Sequence, residues 1–250
     1  MSKNFIAMIE KASIQNESRI VLALDLKGPD AIEKAEKILE DVSSYICGVK
    51  LNKHLILPFG LQYAKTIVRR AHELGLPVIA DCKICDIGST NQVEASLYFD
   101  TGFDAITVMP LPGWAEGLES IFHLAEERDK GILAVTYMSH KGASEFFEAM
   151  VYDEELRIFD KLYMIFLRRA IKWRADGLIV GATRPNIIRR IREIVGDRPI
   201  FSPGVIIQGG SLVDALKAGA SYVIIGRAIC ENPKPADKAK ELRNLTKLFS

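Results

Sequence analysis

The chain has 250 residues, 48% of them apolar and 26% charged, with 33 Lys and Arg against 32 Asp and Glu. That balance excludes recruitment to nucleic acid or to an anionic membrane by net charge, and the apolar content excludes intrinsic disorder. No uncharged apolar run reaches the ~18–20 residues that span a bilayer, and the longest uncharged stretch, Pro199 to Val213, is broken by Pro and Gly. Cys47, Cys82, Cys85 and Cys230 are too sparse for a disulfide scaffold. The Cys82–Cys85 pair lacks the second pair or neighbouring His that a zinc site needs, so Cys82 is expected to pack outward from a strand.

In chain order, residues 1–18 read as a short helical extension with Phe5, Met8, Ile9 and Ala12 on one face. They carry no signal-peptide apolar core or cleavage site, and the cytoplasm is the expected location. Eight short Val- and Ile-rich runs follow: Ile20–Asp25, Ile46–Leu51, Val78–Lys83, Ala105–Met109, Ile132–Tyr137, Gly177–Val180, Ile200–Ser202 and Tyr222–Ile225. Helical patterns alternate with them at 30–42, 59–74, 90–101, 115–128, 154–174, 185–195, 211–218 and 235–248. The apolar runs are continuous, as strands buried on both faces require. Eight strand–helix units in a chain of this length predict an α/β fold, a (β/α)8 TIM barrel occupying residues 1–250 as a single domain. A doubly wound sheet would carry a glycine fingerprint after its first strand, and Leu24-Asp25-Leu26-Lys27-Gly28 is not one. Residues 139–153 read as a long loop, a candidate lid hinged at Gly142 and Ala143.

Barrel chemistry sits at the C-terminal ends of the strands. The first predicted strand ends in Asp25, the second carries Lys50, and the third ends in Asp81-Cys82-Lys83-Ile84-Cys85-Asp86. Asp81 and Lys83 are two residues apart and share a face of their strand. Charges so dense beside the apolar run 77–80 are costly unless paired, and they mark a site. Lys83 between Asp81 and Asp86 is expected to be a fixed, protonated ammonium, able to donate a proton and to stabilise developing negative charge. Lys50 extends the row to Lys–Asp–Lys–Asp. At the last two strands, Gly204, Gly209, Gly210 and Gly226 allow close backbone approach to an anion, and Arg227 supplies a charged fork for phosphate. His54, His72 and His123 show no metal-binding spacing. His72, His123, Trp114 and Trp173 read as surface or packing residues, and Arg184–Arg192 reads as a solvated helix face.

From about Arg19 to Ile229 these pieces resemble the orotidine 5′-phosphate decarboxylase family. The resemblance rests on LALDL at 22–26, VK at 49–50 and ADCKICDIGSTN at 80–91, which fits the family's D-x-K-x-x-D signature. TYMSHKGA at 136–143, SPGVIIQGG at 202–210 and IIGRAI at 224–229 follow in the same order. The length and the MSH–Gly piece look like the single-function archaeal and bacterial branch rather than the fused eukaryotic enzyme. The resemblance implies cofactor-free decarboxylation of orotidine 5′-monophosphate to UMP in pyrimidine biosynthesis, with no metal and no nucleic-acid or membrane partner. It implies that Asp25 binds ribose hydroxyls, that Lys50 orients Asp81, that Asp81 faces the substrate carboxylate and that Lys83 protonates C6. It implies a homodimer in which Asp86 and Thr90 reach the partner's site. Ser139 would read the pyrimidine edge; Gln208, Gly226 and Arg227 would hold the phosphate, with Pro203 and Val205 shaping the pocket. Binding of the phosphate would close segments 139–153 and 203–211 over the ring.

Two departures stand out. Gly88 occupies a position where the family usually has Pro, and Met109-Pro110-Leu111-Pro112-Gly113 replaces a His-Gly beginning. Gly88 also fits the sister 3-keto-gulonate 6-phosphate decarboxylases and hexulose-phosphate synthases, which use Mg²⁺ and a Glu after the second strand. Residues 52–60 here contain no carboxylate. A non-catalytic barrel that binds a phosphorylated ligand is the other alternative, since fold alone permits it.

Overall fold

Strands that are apolar on both faces need cover on both, and helices packed outside a closed barrel provide it. The computed structural model describes residues 3–249. Residues 1 and 2 of the expected N-terminal extension lie outside the described residues. The barrel strands are β1 (Ile20–Leu24), β2 (Gly48–Asn52), β3 (Val78–Ile84), β4 (Ala105–Val108), β5 (Gly131–Tyr137), β8 (Gly177–Val180), β9 (Ile200–Pro203) and β10 (Tyr222–Ile225). Between β5 and β8, β6 (Met150–Asp153) and β7 (Ile158–Lys161) form a separate antiparallel hairpin. All barrel pairings are parallel, and β1 closes the ring on β10 with Ile20 opposite Val223. The helices are α1 (Lys3–Gln15), α2 (Ala31–Val42), α3 (Lys53–Phe59), α4 (Leu61–Glu73), α5 (Gly88–Thr101), α6 (Glu119–Glu127), α7 (Ala143–Phe147), α8 (Leu162–Lys172), α9 (Pro185–Val195), α10 (Leu212–Lys217), α11 (Arg227–Cys230) and α12 (Pro235–Thr246). The eight expected strands are all present, so the TIM-barrel expectation holds.

Helix α1 covers the end of the barrel at which the strands begin. Phe5 and Ile9 are fully buried and Ala12 nearly so, whereas Met8 is only half-buried. The Phe5 ring stacks on Phe201 with centroids 6.2 Å apart. It also lies against Gly131, where a Cβ would sit 2.6 Å from the ring. Gly131→Ala is therefore expected to destabilise the fold by about 1–3 kcal/mol through overpacking. Thermal unfolding checks this; an unchanged Tm would mean that α1 is not seated there in solution. At the same end Asp104 accepts the Val78 N–H and pairs with His72 Nε2, each at 2.8 Å. His72 is thus a packing residue, as expected.

The expected helix 154–174 is the main discrepancy. Only α8 is helical, and 150–161 folds into the β6–β7 hairpin. The acidic residues of the hairpin meet the basic side chains of α8. Asp153 pairs with Arg169 at 2.8 Å, Glu155 with Arg169 at 2.9 Å and Lys172 at 2.6 Å, and Asp160 with Arg168. Segment 139–153 is likewise not a structureless lid, because it contains α7 and β6. Tyr137 and Lys161 both donate to Glu148, at 2.9 and 2.8 Å, and Ala143, an expected hinge, is buried. Pattern 59–74 is split at Gly60 (φ +80°), and 115–128 begins with an irregular turn in which Glu116 has φ +55°. Arg192, expected on a solvated face, instead donates to Gly219 O at 2.8 Å and to Ser221 Oγ at 2.9 Å.

Candidate active site

The C-terminal mouth of the barrel holds a cavity of about 280 Å³. Ten of the expected site residues line it: Asp25, Lys50, Asp81, Lys83, Ser139, Pro203, Val205, Gln208, Gly226 and Arg227. A larger cavity, about 810 Å³, lies on the outside of the barrel between α6 and α8, lined by Trp114, Phe122 and Trp173. These three rings pack on one another with centroids 5.3–6.1 Å apart, so the two tryptophans are packing residues, as expected.

Charge is concentrated in the smaller cavity. Lys50 Nζ lies 2.7 Å from Asp81 Oδ2 and 3.5 Å from Asp25 Oδ1, and Lys83 Nζ lies 2.5 Å from Asp81 Oδ1. The row therefore runs Asp25–Lys50–Asp81–Lys83. Burial alone would raise the Asp81 carboxyl, but the ammoniums of Lys50 and then Lys83 outweigh it and hold Asp81 well below the usual carboxylate range. Burial likewise works against a charged Lys50, and Asp81 and Asp25 outweigh it, so Lys50 remains an ammonium above its ordinary value. Asp25 Oδ1 is buried and makes no hydrogen bond.

The third strand makes this geometry through a local irregularity. Burial alternates along its end, with Cys82 and Ile84 inside the wall and Asp81 and Lys83 towards the cavity. Its register against β4 shifts between Ala80 and Ile84, and Lys83 takes φ +51°. A left-handed backbone is rare for a long side chain and marks a position held by its surroundings. The bulge is held by Thr107 of β4, whose hydroxyl accepts the Lys83 N–H at 2.9 Å and donates to Asp81 Oδ1 at 3.3 Å. Thr107 was not legible as a site residue, since in sequence it is one small polar side chain in an apolar run. Asn52 and His140 also line the cavity. Asn52 had a signal, being two residues beyond Lys50 and so on the same strand face.

At the other end of the cavity, Gly204 takes φ +91°, and a Cβ there would sit 2.6 Å from Ser139 Cβ and 2.7 Å from Gln208 Oε1. Only glycine lets these two side chains approach across the β9 loop. Gly226 also packs closely on the β1 backbone, a Cβ meeting Ala23 O at 3.0 Å. Arg227 follows it at the surface, lining the same cavity.

Asp86 and Thr90 are exposed and do not line their own chain's cavity. The expectation that Asp86 flanks Lys83 within one chain is corrected. The chain turns away after Ile84, and Asp86 Oδ1 instead accepts the Ile87 N–H at 2.7 Å. Fully buried Asn91 fixes this turn, accepting from Asp86 N at 2.9 Å and donating to Asp86 O and Gly117 O. Gly88 is explained here too: a Cβ would lie 3.1 Å from Glu116 O, on the irregular turn before α6. Next to Asp86 and Thr90 in the chain, Ile87 and Val93 are each more than 60% exposed. Cys82 is buried in the strand wall and Cys85, beyond the end of β3, is exposed, both as free thiols.

Among the described residues no helix is long and apolar enough to cross a membrane, and no three His, Cys, Asp or Glu side chains converge as a metal-ligand set. A family model described as "Orotidine 5′-phosphate decarboxylase / HUMPS family" matches residues 18–242. An orotidine 5′-phosphate decarboxylase of Pyrococcus furiosus is 38% identical over 232 residues, covering 92% of this chain and 99% of the relative. One of Methanosarcina barkeri is 36% identical over 230 residues, 92% and 95% of the two chains. Among solved structures, the orotidine 5′-monophosphate decarboxylase of Methanocaldococcus jannaschii, complexed with the inhibitor BMP, matches with TM-score 0.78 and 30% identity over 92% of this chain and 98% of that one. With the family model spanning nearly the whole barrel and these relatives matched almost end to end, the chain belongs to the orotidine 5′-phosphate decarboxylase / HUMPS family.

Proposed function

We propose that this protein decarboxylates orotidine 5′-monophosphate to UMP and carbon dioxide, as its relatives' names state of them, and that it needs no cofactor. The observation that carries the reading is the Asp25–Lys50–Asp81–Lys83 row set at the mouth of a cavity whose far end presents Gln208, Gly226 and Arg227. In this reading Arg227 and the Gly226 and Gln208 backbone hold the phosphate, with Pro203 and Val205 as walls. Ser139 meets the pyrimidine edge, and the Asp25 carboxylate accepts from the ribose.

Carbon dioxide leaves C6 with the electron pair of its bond remaining on the ring. The resulting carbanion faces the Lys83 ammonium, which stabilises it and then transfers a proton to it. Asp81 stands beside the departing carboxylate, and their repulsion vanishes as neutral carbon dioxide forms. Only interactions that improve toward the transition state raise the rate. Lys50 keeps Asp81 ionised and aimed. The phosphate is remote from C6, so its binding contributes by fixing the ring and excluding water.

We further propose a homodimer in which Asp86 and Thr90 of each chain enter the partner's site. Their exposure, their distance from their own cavity and the exposed apolar side chains next to them in the chain support it. The Mg²⁺-dependent sister activity is not favoured. Asp81, the carboxylate at the centre, is already engaged by two ammoniums, and a divalent cation would have to displace them. A passive phosphate-binding barrel has no use for a buried charge row of this cost.

Orotidine 5′-monophosphate and 3-keto-gulonate 6-phosphate, each offered with excess EDTA or with Mg²⁺, test the reading. Loss of orotate-ring absorbance in EDTA, with carbon dioxide released mole for mole, is the expected result. Turnover of only the sugar phosphate, and only with Mg²⁺, would overturn it.

A further inference from the structure

Lys83 is the residue on which the proposed chemistry turns, and its backbone is the part of the site least able to hold itself. At φ +51° it lies in the left-handed region, which a long side chain rarely adopts unless its surroundings hold it there. The register shift between Ala80 and Ile84 also removes the regular ladder partner from the Lys83 N–H. A buried N–H without an acceptor is rare in folded proteins and expensive. The Thr107 hydroxyl supplies the acceptor at 2.9 Å and, having one proton to give, directs it to Asp81 Oδ1 at 3.3 Å. That same carboxylate oxygen takes the Lys83 ammonium at 2.5 Å. Lys83 N–H, Thr107 Oγ1, Asp81 Oδ1 and Lys83 Nζ thus form a closed ring of contacts, beginning and ending on the one residue. Thr107 is 1% exposed and is not among the residues lining the cavity, so nothing suggests that it touches substrate.

We infer that Thr107 is a positioning residue, which sets the catalytic geometry by holding the left-handed backbone of Lys83 and the carboxylate of Asp81 through a single hydroxyl. The inference rests on the decarboxylase reading above. It explains why a hydroxyl occurs in the otherwise apolar run of β4, at the point where β3 leaves its register. A residue that only filled space there would be served equally by valine. A residue that positions needs an oxygen able to accept and donate at once.

The test compares Thr107→Val, which keeps the shape and loses the oxygen, with Thr107→Ser, which keeps the oxygen. Turnover of orotidine 5′-monophosphate is measured per folded site, the sites being counted by UMP binding. T107V is expected to lose roughly 10–100-fold in kcat, as misplacement of a catalytic group by a fraction of an ångström does. Its affinity for UMP should stay within a few-fold of wild type, because the phosphate and ribose contacts lie elsewhere. T107S is expected to recover most of the lost kcat. A merely structural threonine would lower thermal stability and folded yield while leaving kcat per folded site unchanged. Wild-type-like kcat in T107V, or T107S no better than T107V, would therefore overturn the inference alone. Should T107V not fold, Thr107→Ala is read by the same criteria. A wild-type protein that does not consume the substrate at all would overturn the decarboxylase reading and this inference with it.

Discussion

Replacing Lys83 by alanine is expected to lower turnover of orotidine 5′-monophosphate by roughly 10⁴-fold or more, the combined loss of an electrostatic stabiliser and of a general acid. Both tasks fall to one group because the other described cations lining the cavity are placed for different work. Lys50 is buried and committed to Asp81 and Asp25, and Arg227 stands at the phosphate end. The variant should still bind UMP, since Arg227, Gln208 and Asp25 are untouched. Steady-state kinetics and UMP titration together check this. Retained turnover would remove Lys83 from the mechanism, and lost UMP binding would show that the substitution had collapsed the site.

The second large effect is one of complementation. Lys83→Ala and Asp86→Ala proteins should each be nearly inactive alone. Dissociated, mixed in equal amounts and reassociated, they should recover about a quarter of wild-type activity, because half the dimers are hybrids and each hybrid has one intact site of two. The expectation follows from the exposed Asp86 turn, which lies away from its own cavity and is flanked in the chain by exposed Ile87 and Val93. Turnover of the mixture no greater than the mean of its components would contradict the shared site. Sedimentation showing an active monomer would contradict it as well.

The barrel was legible in the sequence because its strands are unbroken apolar runs that alternate with helical patterns. Asp81 and Lys83 were legible because they are two apart at a strand end. The hairpin at 150–161 was not. Its acidic residues and apolar spacing also suit a helix surface, and only contact with Arg168, Arg169 and Lys172 on α8 decides between the two. Thr107 was hidden for a related reason, since its role arises from a register shift in the neighbouring strand, and strand periodicity does not encode where a ladder slips. Asn91, buried beneath the Asp86 turn, belongs to the same class of residue, defined by the backbone groups it meets rather than by its own type.

The exposed position of Asp86 also refines the electrostatics. Within one chain the charge row ends at Lys83, which has Asp81 on one side and the open cavity on the other. The proposed partner carboxylate would complete the alternation of charges, coupling activity to assembly.

The claim that a C6 carbanion is held and protonated by Lys83 is tested most directly by running the protonation step backwards. UMP incubated with the protein in deuterium oxide should exchange its C6 hydrogen for deuterium through that carbanion, followed by loss of the C6–H proton resonance. The account predicts slow exchange with the wild-type protein, none with Lys83→Ala, and an unaltered C5 hydrogen in both. Exchange proceeding equally in Lys83→Ala, or a C6 hydrogen that stays fixed with a protein that rapidly consumes orotidine 5′-monophosphate, would contradict it.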